Sequence, residues 1–136
     1  MDKYIFPAIF DPDEEGKGYT VTFPDLPGCI TEGDTLEEAF SMAREALELH
    51  LWGMEDDGED IPRPTPPNQI AVPEGCFTSL IEALMPPIRN KMALKAVNKT
   101  LTIPKWLNDL GEERKVNFSH ILQEALKSHL GVRDKP

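Results

Sequence analysis

No stretch of this 136-residue chain reaches the run of about 18 apolar residues that a membrane-spanning helix needs. The first residues, Met1-Asp2-Lys3-Tyr4, carry no basic leader followed by an apolar segment. A cytoplasmic protein with no membrane attachment is therefore expected. Cysteine is scarce: Cys29 and Cys76 stand alone, and with His50, His120 and His129 they form no CxxC, HxxH or HExxH spacing. No metal site and no cofactor is expected, and two isolated cysteines read as small apolar residues. No glycine-rich phosphate loop of the P-loop or Rossmann type occurs. Basic residues are few in the first part of the chain. Residues 1–90 hold five of them against nineteen acidic groups, a net −14, whereas residues 91–136 hold nine against five, a net +4. A pI near 4.7 argues against nucleic acid as a partner of the whole chain; the split restores that partner for the tail alone.

The first half alternates strand and turn signals. Lys3–Phe10 places Tyr4, Phe6, Ala8 and Phe10 on one face, with Pro7 suggesting an edge strand or a bulge. An acidic turn, residues 11–16, leads to a second strand with Tyr19, Val21 and Phe23 inward, and a third short strand follows from Cys29. Thr35-Leu36-Glu37-Glu38 is a capping box opening an amphipathic helix with Gly53 as its expected C-cap. Residues 54–69 combine an acidic run with four prolines and read as a linker. The periodicity of Phe77–Leu84 fits strand and helix alike; a fourth strand is chosen, because three short strands and one helix need another sheet member to close a core. Pro86-Pro87 then suggests a break, and 86–95 a connection between modules.

The tail has another rhythm. Residues 96–103 read as a strand stopped by Pro104, which opens a first helix to about Glu113. Asn117 caps a second helix over Phe118–Leu130 that Gly131 closes. A strand and two helices make a small core, and a lone strand leaves both edges open. Two copies pairing their strands would remove both deficits, with Leu101 and Ile103 in the dimer core. Period two then sends Asn98, Thr100 and Thr102 outward together.

This tail, from Ala96 to Val132 and including the Ile121–Leu126 segment ILQEAL, resembles a ribbon-helix-helix DNA-binding module. The first half resembles the HicB antitoxin domain through residues 23–29 (FPDLPGC), then Thr31-x-Gly33-Asp34-Thr35-x-Glu37-Glu38-Ala39 and Ala43-x-x-Ala46-Leu47. The resemblances imply an α+β chain: a partial RNase H-like antiparallel sheet with one main helix over 1–85, a linker over 86–95, and a ribbon-helix-helix dimerisation module over 96–136. They imply an antitoxin that neutralises a small basic mRNA-cleaving toxin of the HicA type and represses its own operon. The alternative is a stand-alone repressor whose acidic domain binds another partner. Asn98, Thr100 and Thr102 correspond to the base-reading strand positions of such modules, and adenine and thymine suit their chemistry. Arg114, Lys115, Asn117 and Ser119, at the start of the second helix, correspond to the phosphate clamp. Asp11, Asp13 and Glu14 in the hairpin loop, and Asp56, Asp57 and Glu59 in the acidic run, are the candidates for meeting a basic toxin. The partners implied are such a toxin, operator DNA and a second copy through the C-terminal ribbon, with a higher oligomer as the alternative assembly.

An RNase H-like sheet raises the question of metal-dependent catalysis, with Asp11, Asp25 and Asp34 as the candidate carboxylates. Each sits where aspartate serves as a turn or cap residue, and Ser119 and His120, adjacent on a helix, do not face each other. A binding protein rather than an enzyme is expected.

Overall fold

The computed structural model describes residues 1–134, so the last two residues of the tail module lie outside it. The chain divides into two compact units, one covering residues 1–96 and one starting at Val97. The first is a four-stranded antiparallel sheet, β1 (Lys3–Pro12), β2 (Tyr19–Thr22), β3 (Ile30–Gly33) and β4 (Phe77–Leu84), in the order β3-β2-β1-β4. One long helix, α1 (Leu36–Asp56), packs on one face of it. Alternation selects that face. Phe6, Ala8, Phe10, Val21, Ile81 and Ala83 point at α1, which answers with Ala39, Ala43, Leu47 and Leu51 at every fourth position. Phe6 and Phe10 are wholly buried, each contributing about 2–3 kcal/mol.

Pro7 sits in an inner strand rather than an edge strand, and the register explains how. The Met85 amide donates to the Asp2 carbonyl at 2.8 Å, continuing the β1–β4 ladder beyond the Lys3–Leu84 pair. Bonded pairs therefore recur at even-numbered β1 residues, and the Pro7 nitrogen faces away from β4. On that side β2 pairs only with Ile9–Pro12, so the missing N–H costs no ladder bond.

Glu38 N donates to the Thr35 hydroxyl at 3.1 Å, the first half of the expected capping box, but the Glu38 carboxylate accepts from Asp34 N rather than Thr35 N. The helix runs through Gly53, which is not its cap. It stops at Asp57, where Gly58 takes φ +71° and the Glu59 amide reaches back to the Met54 carbonyl at 2.8 Å.

The 86–95 segment, expected as a connection, is for the most part a helix, α2 (Met85–Ala93). Pro86 and Pro87 fall in its first turn, where amides have no intrahelical acceptor, so they start the helix instead of breaking the chain. Met85 and Ile88 are buried against the core. The Arg89 guanidinium grips both Glu55 oxygens, at 3.0 and 2.6 Å, and Asp2 at 2.6 Å. These acids raise its pKa further, so it stays charged.

In the second unit, α3 (Lys105–Glu113) and α4 (Phe118–Leu130) form where expected, with Pro104 at the N-cap rather than inside the first turn. Asn117 caps α4 by accepting from His120 N at 3.0 Å, and Gly131 ends it with φ +71°. Residues 96–103 form no strand in the single chain. A ladder needs a second strand, and none of the described strands pairs with them.

Candidate functional site

The hairpin loop and the end of β3 enclose a cleft of about 410 Å³ in the first unit. Asp11, Asp13, Glu14, Glu32 and Asp34 line it together with Lys17. Local backbone chemistry builds it. Gly16 and Gly18 take φ +70° and +132°, conformations that favour glycine, and the Asp13 amide closes the loop on the Gly18 carbonyl at 2.8 Å. A Cβ on Gly18 would meet the Gly33 carbonyl at 2.6 Å, and one on Gly33 would meet the Ala39 amide at 2.4 Å. Glycine at both positions therefore lets loop, strand and helix start close together. Lys17 pairs with Glu15, at 3.2 Å, rather than with a carboxylate of the cleft.

The cleft unites three expected residues, Asp11, Asp13 and Glu14, with Glu32, which the sequence did not single out, and Asp34, which it weighed only as a catalytic carboxylate. Their proximity depends on the β2–β3 register, which pairs Thr20 with Glu32. Asp56, Asp57 and Glu59 do not join them. They end α1 beside the Arg89–Glu55–Asp2 cluster, whereas the cleft adjoins the helix start. At 1.5 Å per residue, α1 separates the two acidic surfaces by about 30 Å. Acids at a helix C-terminus face the negative end of its dipole, and no basic residue occupies the last turn of α1. Asp25 is absorbed structurally: its carboxylate accepts from the amide and the hydroxyl of Thr65, pinning the proline-rich segment. Among the described residues, no group of three or more His, Cys, Asp or Glu is placed to hold a metal ion.

The second unit presents an apolar groove of about 710 Å³ between the 99–103 segment and its two helices. Lys99, Leu101 and Ile103 line it with Leu107, Phe118 and Ile121; Asn98, Thr100 and Thr102 do not line it and are exposed. Leu101, Phe118 and Ile121 remain 53%, 42% and 52% exposed, so the apolar side of this unit is only half covered. Arg114 and Lys115 are exposed at the turn before α4, and Lys115 adopts a left-handed φ of +53°. The Asn117 side chain is occupied by its capping bond, while Ser119 is exposed on the first turn.

A family model described as the HicB-like antitoxin of bacterial toxin–antitoxin system matches residues 6–125. A 14.9 kDa protein in the rep-hol intergenic region of Haemophilus phage HP1 is 37% identical over 91 residues, 66% of this chain and 67% of its own length. Antitoxin HicB 1 of Photorhabdus laumondii is 47% identical over 64 residues, 47% of this chain and 41% of its own; the match thus spans less than half of that relative. Among solved structures, a toxin–antitoxin complex from Streptococcus pneumoniae contains a chain that superposes with a TM-score of 0.62 at 25% identity, over 93% of this chain and 99% of that one.

Proposed function

The chain belongs to the HicB-like antitoxin family of bacterial toxin–antitoxin systems, and from that premise we propose that its first unit binds and neutralises a HicA-type toxin while its second represses the chain's own operon. The first unit is read as a partial RNase H-like domain used for binding, the second as a ribbon-helix-helix module. The observation that carries the first role is the preformed acidic cleft, whose five carboxylates form no ion pair among the described residues, since Lys17, which lines it with them, pairs with Glu15 instead. A toxin that handles RNA needs a basic surface, and such a cleft favours fast, oriented encounter with one. The acids that end α1 offer a second contact, since a basic partner there would also relieve their repulsion with the helix dipole.

The second role rests on the half-covered apolar groove. A second copy would bury Leu101 and Ile103 and give residues 96–103 the strand partner they lack. That pairing would hold Asn98, Thr100 and Thr102 together on the other face, suited to the major groove. Arg114, Lys115 and the start of α4 would then face phosphates.

Two charge-reversal variants of the full chain test the first role, assayed by pull-down and growth rescue with a HicA-type toxin. Asp11→Lys/Asp13→Lys/Glu14→Lys should abolish neutralisation and leave operator binding intact. Asp56→Lys/Asp57→Lys/Glu59→Lys should weaken neutralisation less. Full neutralisation by both variants refutes the acidic interface. The stand-alone repressor is the remaining reading if no such toxin binds the wild-type chain.

A further inference from the structure

Strand β4 ends the sheet, and its outer edge is eight residues long. Edges of this length invite pairing with another strand. The β1–β4 register sends the amides and carbonyls of Thr78, Leu80, Glu82 and Leu84 outward. Two of those outward groups are occupied from an unexpected direction. Arg44 Nε on α1 donates to the Glu82 carbonyl at 3.3 Å, and Glu48, one turn further along α1, accepts from the Leu84 amide at 3.5 Å. Spacing of i and i+4 puts both side chains on one helix flank, overhanging the edge. Leu80 has no such guard, and its side chain is 50% exposed.

We propose that the β4 edge is a latent pairing surface for a second copy of this chain, and that Arg44 and Glu48 keep it closed. Self-pairing is favoured over a toxin because the edge is charge-balanced. Lys3 lies 3.6 Å from Glu82, and Arg44 accompanies Glu48, so nothing there attracts a basic partner. A two-fold antiparallel register centred on Leu80 keeps the helix-facing side chains of both copies on one face. It sets Leu80 against its counterpart and Thr78 against the second copy's Glu82, a hydroxyl beside a carboxylate. That register needs the Glu82 carbonyl Arg44 occupies, so guard and partner compete for one acceptor. The surface is separate from the tail groove and independent of the antitoxin reading.

The experiment compares masses of full-length variants by sedimentation, with circular dichroism confirming the fold. Arg44→Ala/Glu48→Ala should double the wild-type mass as concentration rises. Adding Leu80→Lys should restore the wild-type mass, and Glu48→Gln, which keeps an acceptor, should stay at it. An unchanged mass in the double alanine variant, or a doubled mass that survives Leu80→Lys, overturns the proposal. Amide exchange on the wild-type chain tests the guards without any substitution. The Leu84 amide should exchange at least tenfold more slowly than the Leu80 amide, and equal rates overturn the guarding role.

Discussion

Lys115 separates what a charge does from what a backbone does. A left-handed φ costs a non-glycine residue about 1 kcal/mol. Lys115→Gly removes that strain, which offsets the extra unfolded-chain entropy of glycine. Calorimetry should find its stability within about 0.5 kcal/mol of wild type. If Lys115 touches phosphate, operator and random DNA should both bind more weakly, with the salt slope lowered by about one. Asn98→Ala should do the opposite, costing about 1–3 kcal/mol on operator alone. Loss of both DNAs with Asn98→Ala, or of operator only with Lys115→Gly, would reverse the assigned roles. Cys29 makes a separate point. Burial pushes its thiol up to about 11, from an ordinary value of 9.0. The unfolded chain therefore loses this proton first, and fold stability falls as pH rises from 9 towards 11. Denaturant titrations should show a shallower alkaline decline in Cys29→Ala than in wild type.

At the scale of elements, close approach governs the first unit. Gly33→Ala would drive a methyl group into the backbone of α1 at Ala39. Forcing strand and helix apart should cost about 1–3 kcal/mol and widen the adjoining cleft. Its melting temperature should fall, and toxin binding should weaken with it. Thr35→Ala removes a cap bond without a clash and should cost about 1 kcal/mol, with binding unchanged once the protein is folded. The two variants thus distinguish cleft shape from mere stability. α2 belongs to the same scale, because Arg89 ties it to the α1 terminus and the chain start.

At the scale of the molecule, each proposed activity needs a different assembly. Toxin binding uses surfaces present in one chain, whereas operator binding needs two. Leu101→Asp places a carboxylate in the proposed dimer core, where burial of an unpaired charge is prohibitive. The variant should lose operator binding and tail dimerisation yet still neutralise toxin. An operator-binding, dimeric Leu101→Asp protein would refute the ribbon.

Much of this was decided by sequence alone. Period-two alternation in 3–10 and 19–23 chose the buried face of the sheet, and Thr35, Asn117 and Gly131 marked helix ends, because these signals act over a few neighbouring residues. The HicB-like family was equally legible, since its turn, strand and capped-helix residues recur in one order. Other features needed the third dimension. The α2 helix was hidden by Pro86-Pro87, whose effect depends on whether they fall inside a helix or begin one. Gly53 looked like a stop, but Met54 packs against the core and Glu55 is held by Arg89, so the helix continues past it. Glu32 and Asp34 joined Asp11 in one cleft only through strand register, and Asp56 was kept 30 Å away by the length of α1. The strand expected over 96–103 marks the boundary between the two kinds of information. Its alternation is written in the chain, but the single chain forms no strand there, because a ladder is a property of two strands.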